Sequence, residues 1–373
     1  MQNTKVVRYK AMNWMRVIAF LFIIVYHFMV ELEQKGNLDP QKSRLIHYSN
    51  SNLHIAIIGV SLFFMLSGAG LMLSSTRNWN LKDFYLRRFT KLLIPFYIVE
   101  IFTLIAAFAI KPEWLSNFSN LNKGKIIFNL FGMDGYFEQF YPTFSLHVGE
   151  WFLGALIMLY ALFPIFRFFM EKNRYITITV ATIYYLVMNY GNFISPSPWT
   201  NVFIKAYDFI LGMFLIIEIP RLLKNKTLKS ALFVISAFII VLGAVLESTI
   251  PLPQVITNLI YATAIFFFFF SLFSFFSNEN NEAKKNSILD NVIVKICAVS
   301  YEVFLVHHII IYYIGDNLEG VIMGRWQIFA LFVTEIIIMA AMALLVQKIV
   351  KGVNSLIFKK PCISTDKKIE SQS

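Results

Sequence analysis

The sequence predicts an all-α fold: a polytopic membrane helical bundle of about ten transmembrane helices with both termini cytoplasmic. Three observations carry this reading. Hydrophobic residues make up 57% of the 373 residues and charged residues only 15%, far outside the soluble range. The apolar residues come in blocks of about 20, the length a helix needs to cross roughly 30 Å of hydrocarbon. The lysines and arginines gather in every second segment between blocks, and positively charged loops stay in the cytoplasm. The expected domains are 1–358, embedded in the membrane, and a short cytoplasmic tail over 359–373.

The expected spans are 11–30, 54–74, 92–110, 150–167, 175–194, 202–219, 230–250, 254–276, 292–314 and 325–350. The first has the basic start of a signal peptide, but Arg16 interrupts its apolar run and no small-residue cleavage pattern follows, so it reads as a retained helix. "PLPQ" between the seventh and eighth is a proline-favoured tight turn and implies an antiparallel pair. "AIFFFFFSLFSFF" in the eighth reads as lipid-facing bulk. With the N-terminus inside, one inner segment holds Arg77, Lys82, Arg87, Arg88 and Lys91, and another Arg221, Lys224, Lys226 and Lys229. The outer segments hold only Lys35, Lys42, Arg44, Lys111, Lys123 and Lys125. The long outer segment 111–149 is rich in aromatics and glycine. It is expected to lie in the interface or turn back against the protein, because irregular backbone at that depth is tolerated only against protein or a wet cavity.

A net charge of +11 raises the question of a nucleic-acid partner. The basic residues form no face and no interleaved aromatic platform, so none is expected. Cys297 and Cys362 show no metal-ligand spacing, and neither a metal site nor a disulfide framework is expected.

The stretch "RVIAFLFIIVYH" places Arg16 and His27 at the two ends of an apolar run, where a charge at the bilayer centre costs about 3 to 15 kcal/mol. Eleven steps of about 100° bring His27 within about 20° of Arg16, some 16 Å further along the axis. One helix face carries both, along a path across the membrane. Each alone has a simpler use: arginine reaching lipid phosphates, histidine bonding a neighbouring helix.

That arginine, ten residues, histidine motif resembles the first helix of the integral-membrane acyltransferase 3 family, bacterial enzymes that O-acylate cell-surface carbohydrates. "GVSLFFMLSG" is similar to the family's second-helix pattern, with Ser61 in place of the usual carboxylate. "RRFTKLLIPFY" resembles its basic stretch leading into Pro-x-Tyr, with Lys91 where a further arginine is usual. "EWFLGALIMLYALFP" matches its Trp-Phe-Leu helix ending in proline, and "SYEVFLVH" its Ser-Tyr, aromatic-Leu, His signature, with Glu302 in an unusual place. The resemblance covers residues 10 to 350.

Acyl transfer to a hydroxyl needs a base and something to hold the oxyanion. Neutral imidazole suits the first task, and the resemblance implies that His27 performs it. Arg16 stays protonated and suits an anion or developing negative charge. Arg87, Arg88 and Lys91 can grip coenzyme A phosphates, although a basic inner loop is also plain topology. Glu150 and Trp151 lie at the outer edge, where an acceptor sugar would meet the protein. His307 aligns with the family signature and is expected in the site, with Ser300 and Tyr301 supporting it. His308, about 100° further round, is expected to face elsewhere. Lys205 and Asp208, three apart, can neutralise each other. Glu335 sits mid-span, and its partner is not legible.

The resemblance implies a membrane O-acyltransferase of the bacterial cytoplasmic membrane. It would move an acyl group, expected to be acetyl, from cytoplasmic acyl-CoA to an extracytoplasmic or lipid-linked polysaccharide, with acyl-CoA as donor substrate and no permanently bound cofactor. The competing class is an ion-coupled transporter or flippase, since ten spans with buried charges suit one as well. The chain has neither the internal repeat nor the paired glycine- or proline-broken helices that mark many carriers.

Overall fold

The computed structural model describes residues 2–38, 49, 53–75, 79–112, 115, 125–143, 146–191, 197–245, 250–276 and 287–357. The tail 359–373 and the basic residues Lys42, Arg44, Arg77 and Lys123 lie outside them. Among the described residues eleven helices follow in order: α1 (Gln2–Gln34), α2 (Ile55–Ser74), α3 (Leu81–Ile110), α4 (Ile126–Leu130), α5 (Asp134–Phe137), α6 (Glu150–Gly191), α7 (Val202–Lys224), α8 (Lys226–Val245), α9 (Gln254–Phe276), α10 (Ile288–Asn317) and α11 (Arg325–Ile357). No strand forms among the described residues, and eight helices are long and apolar enough to cross a membrane. The chain is an all-α polytopic membrane bundle.

Two differences from the expected spans have local causes. Helix α6 covers the fourth and fifth spans as one run, broken at Asn173, whose φ of −158° and ψ of 94° are extended. The Asn173 side chain accepts from the Ile176 amide at 3.1 Å, so it caps a second helix, and Thr177 donates to the Phe169 carbonyl across the corner. Helix α3 starts at Leu81 instead of near 92. Asn80 caps it by accepting from the Asp83 amide, and Asp83 adds a favourable negative charge to the first turn. Arg87, Arg88 and Lys91 therefore stand on a helix, not in the loop expected for them.

Helix α1 is central and packs against α2, α9 and α10; α2 lies on α7, α8 on α9, α10 on α11 and α6 on α7. The closest crossing is α2 with α7. Gly68 faces the Phe209 carbonyl and Gly212 the Met65 carbonyl, with no room for a Cβ at either, as in small-residue crossings of membrane helices. Beside this crossing Lys205 donates to Ser61 Oγ at 3.2 Å and pairs with Asp208 at 3.2 Å. All three residues are fully buried. The expected neutralisation holds, and Ser61 supplies a third partner that shares the cost of burying the pair.

Candidate active site

Arg16 and His27 open on different surroundings. Arg16 lines a cavity of about 780 Å³ at the end of the bundle that holds the start of α1, the side expected to be cytoplasmic. Arg87, Arg88 and Lys91 from α3 and Lys351 from α11 share its wall, with Ser67, Tyr160 and Glu302. Arg88 donates to Ser74 Oγ at 2.8 Å, and exposed Arg87 stands 3.7 Å from Asp83. Held this way, the two guanidinium groups keep donors free for a phosphate-bearing ligand. Tyr301 and Ser300 also belong here. Tyr301 donates to the Leu92 carbonyl at 2.8 Å and Ser300 to the Cys297 carbonyl at 3.0 Å, so neither supports His307. The reason is their place on α10, nearly two turns before that histidine.

The far end of the cavity is aromatic. Phe63, Phe152 and Phe304 line it, with ring centroids 5.9 Å apart for Phe63 and Phe152 and 5.0 Å for Phe152 and Phe304. Phe304 in turn lies 5.4 Å from the His307 ring. A layer of phenylalanine thus divides the basic cavity from the histidines. Trp151 packs in this layer, 6.4 Å from Phe64 and 6.3 Å from Phe152.

Beyond the layer, His27 meets both histidines of α10. Its ring centroid is 3.9 Å from His308 and 5.4 Å from His307, edge to face in each case. His308 was expected to face elsewhere; it is the nearer of the two. The 100° step between neighbours on α10 straddles the line of contact with α1, so both side chains reach the seam. His307 and His308 are buried, whereas His27 is half-buried and offers an accessible edge. His307 Nδ1 lies 2.6 Å from the Phe304 carbonyl, which can only accept. Nδ1 therefore carries the proton, and Nε2 keeps a lone pair with no hydrogen-bond partner in the protein.

The three rings each offer a nitrogen within 4.8 Å of the others, the metal-ligand type of cluster found among the described residues. Imidazoles on one zinc ion radiate from it at about 2.0–2.1 Å per nitrogen. Here His308 packs ring against ring at 3.9 Å and 4.1 Å from its two neighbours, closer than that arrangement places imidazole centroids. The packing fits proton exchange between rings better than a shared ion.

Glu150 completes the cluster from α6. Its Oε1 stands 2.9 Å from His308 Nδ1, 3.8 Å from His147 Nδ1 and 3.5 Å from the Tyr312 hydroxyl, which donates to it. The turn that delivers it is strained: φ is 61° at His147, 71° at Gly149 and 40° at Glu150. Left-handed backbone at a residue other than glycine costs about 1–3 kcal/mol and persists only where surrounding structure dictates it. Gly135 on α5 supplies part of that surrounding, since a Cβ there would lie 2.5 Å from the Glu150 carbonyl carbon.

In the described part of the outer segment α5 packs inward, with Asp134 and Tyr136 buried, while α4 leaves Ile126, Ile127 and Leu130 exposed. Tyr97 donates to the Leu130 carbonyl, and the Tyr136 hydroxyl accepts from the Val202 amide. Asn129 bridges Glu100 and Asp134 at 2.9 Å and 3.4 Å. Burial pushes the Asp134 carboxyl up to about 6, against a smaller opposing effect of its hydrogen bonds. Glu335 is buried, and its Oε2 has no hydrogen-bond partner.

The sequence model of an acyltransferase domain matches residues 9–345, nearly the whole chain. The chain belongs to the acyltransferase 3 family. No curated protein and no solved structure matches it. As a member of that family it is a membrane acyltransferase, and the cavity, the aromatic layer and the histidine cluster fall inside the matched residues except for Gln347, Val350, Lys351 and Asn354 of α11. Sequence reasoning missed His308 and the His147–Glu150 turn. The turn's signal was the Gly149-Glu150 junction at a helix start; His308 carried none beyond its adjacency to His307.

Proposed function

We propose that this acyltransferase takes an acyl group, acetyl in the first instance, from acyl-CoA bound in the basic cavity and passes it to a hydroxyl of an extracytoplasmic or lipid-linked polysaccharide. Both termini face the cytoplasm in this reading, and the enzyme resides in the bacterial cytoplasmic membrane. One observation carries it: α1 holds Arg16 in a wall of cations and His27 in a cluster of buried imidazoles, with only a layer of phenylalanine between the two.

Arg87, Arg88 and Lys91 hold the coenzyme A phosphates, and Arg16 adds a permanently charged planar fork to the same anion-binding wall. His27 accepts the proton of the acceptor hydroxyl as that oxygen bonds to the acyl carbon. The carbon–sulfur bond then breaks, and the proton on His27 balances the departing thiolate, giving ester and free thiol with no net proton uptake. Passage of the acyl arm requires Phe152 and Phe304 to turn aside, a side-chain motion that costs no backbone change.

Radiolabelled acetyl-CoA added to inverted membrane vesicles, which expose the cytoplasmic face and contain native glycan, tests this. Label is expected in polysaccharide, released by mild base, only when the protein is present. Unchanged acetyl-CoA with and without the protein would contradict the proposal.

A further inference from the structure

We infer that Glu150 and His308 are positioning residues for His27: a carboxylate and a second imidazole that fix its tautomer and stabilise the imidazolium it becomes. The inference rests on His27 being the proton acceptor and goes further by assigning what holds it there.

The argument begins with lone pairs. The Phe304 carbonyl fixes the His307 proton on Nδ1, so His307 turns an unprotonated Nε2 into a buried site. The Glu150 carboxylate beside His308 Nδ1 favours a proton on that atom by the same logic, leaving His308 Nε2 as a second unprotonated nitrogen without a partner. Two acceptors buried against His27 favour the form of His27 that presents an N–H to them. Its other nitrogen then keeps the lone pair for the accessible edge. A neutral imidazole has one donor and one acceptor, so satisfying the buried side decides the reactive side.

Charge gives the second step. When His27 takes a proton in a dry site, the cation needs an anion within reach. The titratable groups around it are His307 and His308 from α10, His54 ahead of α2 and Glu150 from α6. Of these only Glu150 is an acid. It reaches His27 through His308, which lies between them at ring-contact distance. The Glu150–His308 contact is at ion-pair range but off the hydrogen-bond line. A small rotation of the ring closes it when positive charge arrives.

The backbone is an independent observation. The chain places His147, Gly149 and Glu150 in left-handed conformations and clears the approach with Gly135, all to begin α6 at this carboxylate. Strain of this kind collects where a side chain must be aimed. Tyr312 stacks on His308 at 5.3 Å and donates to Glu150, bracketing the pair.

The test uses full-length protein in native membranes with radiolabelled acetyl-CoA, comparing E150Q, E150D, H308Q and H27A at equal membrane abundance. Glutamine fills the space of glutamate and still accepts a hydrogen bond, so a packing role predicts near-normal E150Q and a poorer E150D. The inference predicts the reverse order. E150Q and H308Q should lose at least about tenfold in kcat with donor KM unchanged, and E150D should recover part of that loss. Normal kcat in E150Q and H308Q, with H27A inactive, would overturn this inference alone. Activity retained in H27A would overturn the role of His27 as proton acceptor on which the inference rests. A stoichiometric transition metal in the purified protein, lost in H308Q, would overturn the positioning role in favour of a metal site.

Discussion

The two ends of α1 solve opposite problems. Around Arg16 the side chains are permanent cations on a solvent-reaching cavity, where charge is cheap and a phosphate-bearing ligand supplies the counter-ion. Around His27 they are imidazoles sealed between helices, with one carboxylate near by, where a permanent charge would be costly. The first end is built to bind an anion and the second to take and return a proton. One helix face can join them because hydrocarbon-like phenylalanine separates the two environments by a single layer.

If this division is right, substitutions at the two ends should fail differently. The largest effect at the cavity end is expected from Arg16→Lys, which keeps charge but loses the planar fork. Acyl transfer should be severely impaired with protein abundance unchanged; near-normal rates would reduce Arg16 to a charge or an anchor. A smaller effect is expected from Arg87→Gln combined with Arg88→Gln. Each removes a charge-assisted hydrogen bond of roughly 1.5–3 kcal/mol, so the donor KM should rise at least about tenfold while kcat changes little. Lys82→Gln, exposed more than one turn earlier on α3 and absent from the cavity wall, is the control and should leave KM unchanged.

How much of this was legible in the sequence depended on what each residue needed. Helix α9 was expected over 254–276 and runs from Gln254 to Phe276, because Pro-Leu-Pro marks its start and the predominantly apolar composition gives way to the polar Ser277-Asn278 at its end. The single-helix geometry of Arg16 and His27 needed only the 3.6-residue period. The start of α3 was not legible, because a basic amphipathic turn capped by Asn80 looks like a loop when hydrophobicity alone is followed. His308 was missed because a helix period says which residues share a face, not which neighbour that face meets. Glu150 was expected near the acceptor, but its link to His308 comes from three left-handed residues that no periodicity encodes.

The smallest effect concerns the wall beside the histidines. Asp134 is buried on α5, and its carboxyl is raised to about 6. A raised acid favours the folded state while protonated, so its contribution is present in acid and is lost as pH rises from about 4 through 6. At pH about 7.5 the folded protein carries a buried charge that Asp134→Asn removes. Thermal unfolding should therefore shift upward by a few degrees in that variant at pH about 7.5 and by less at pH about 5. A gain of equal size at both values would remove the titration from the explanation.

The account stands most directly on the ester content of the surface polysaccharide in cells that carry the wild-type protein, His27→Ala or no protein. Polysaccharide from His27→Ala cells should match that from cells without the protein, at normal abundance of the variant in the membrane, while wild type adds base-labile acyl groups. Equal ester content in His27→Ala and wild-type cells would contradict the central claim that His27 accepts the acceptor's proton.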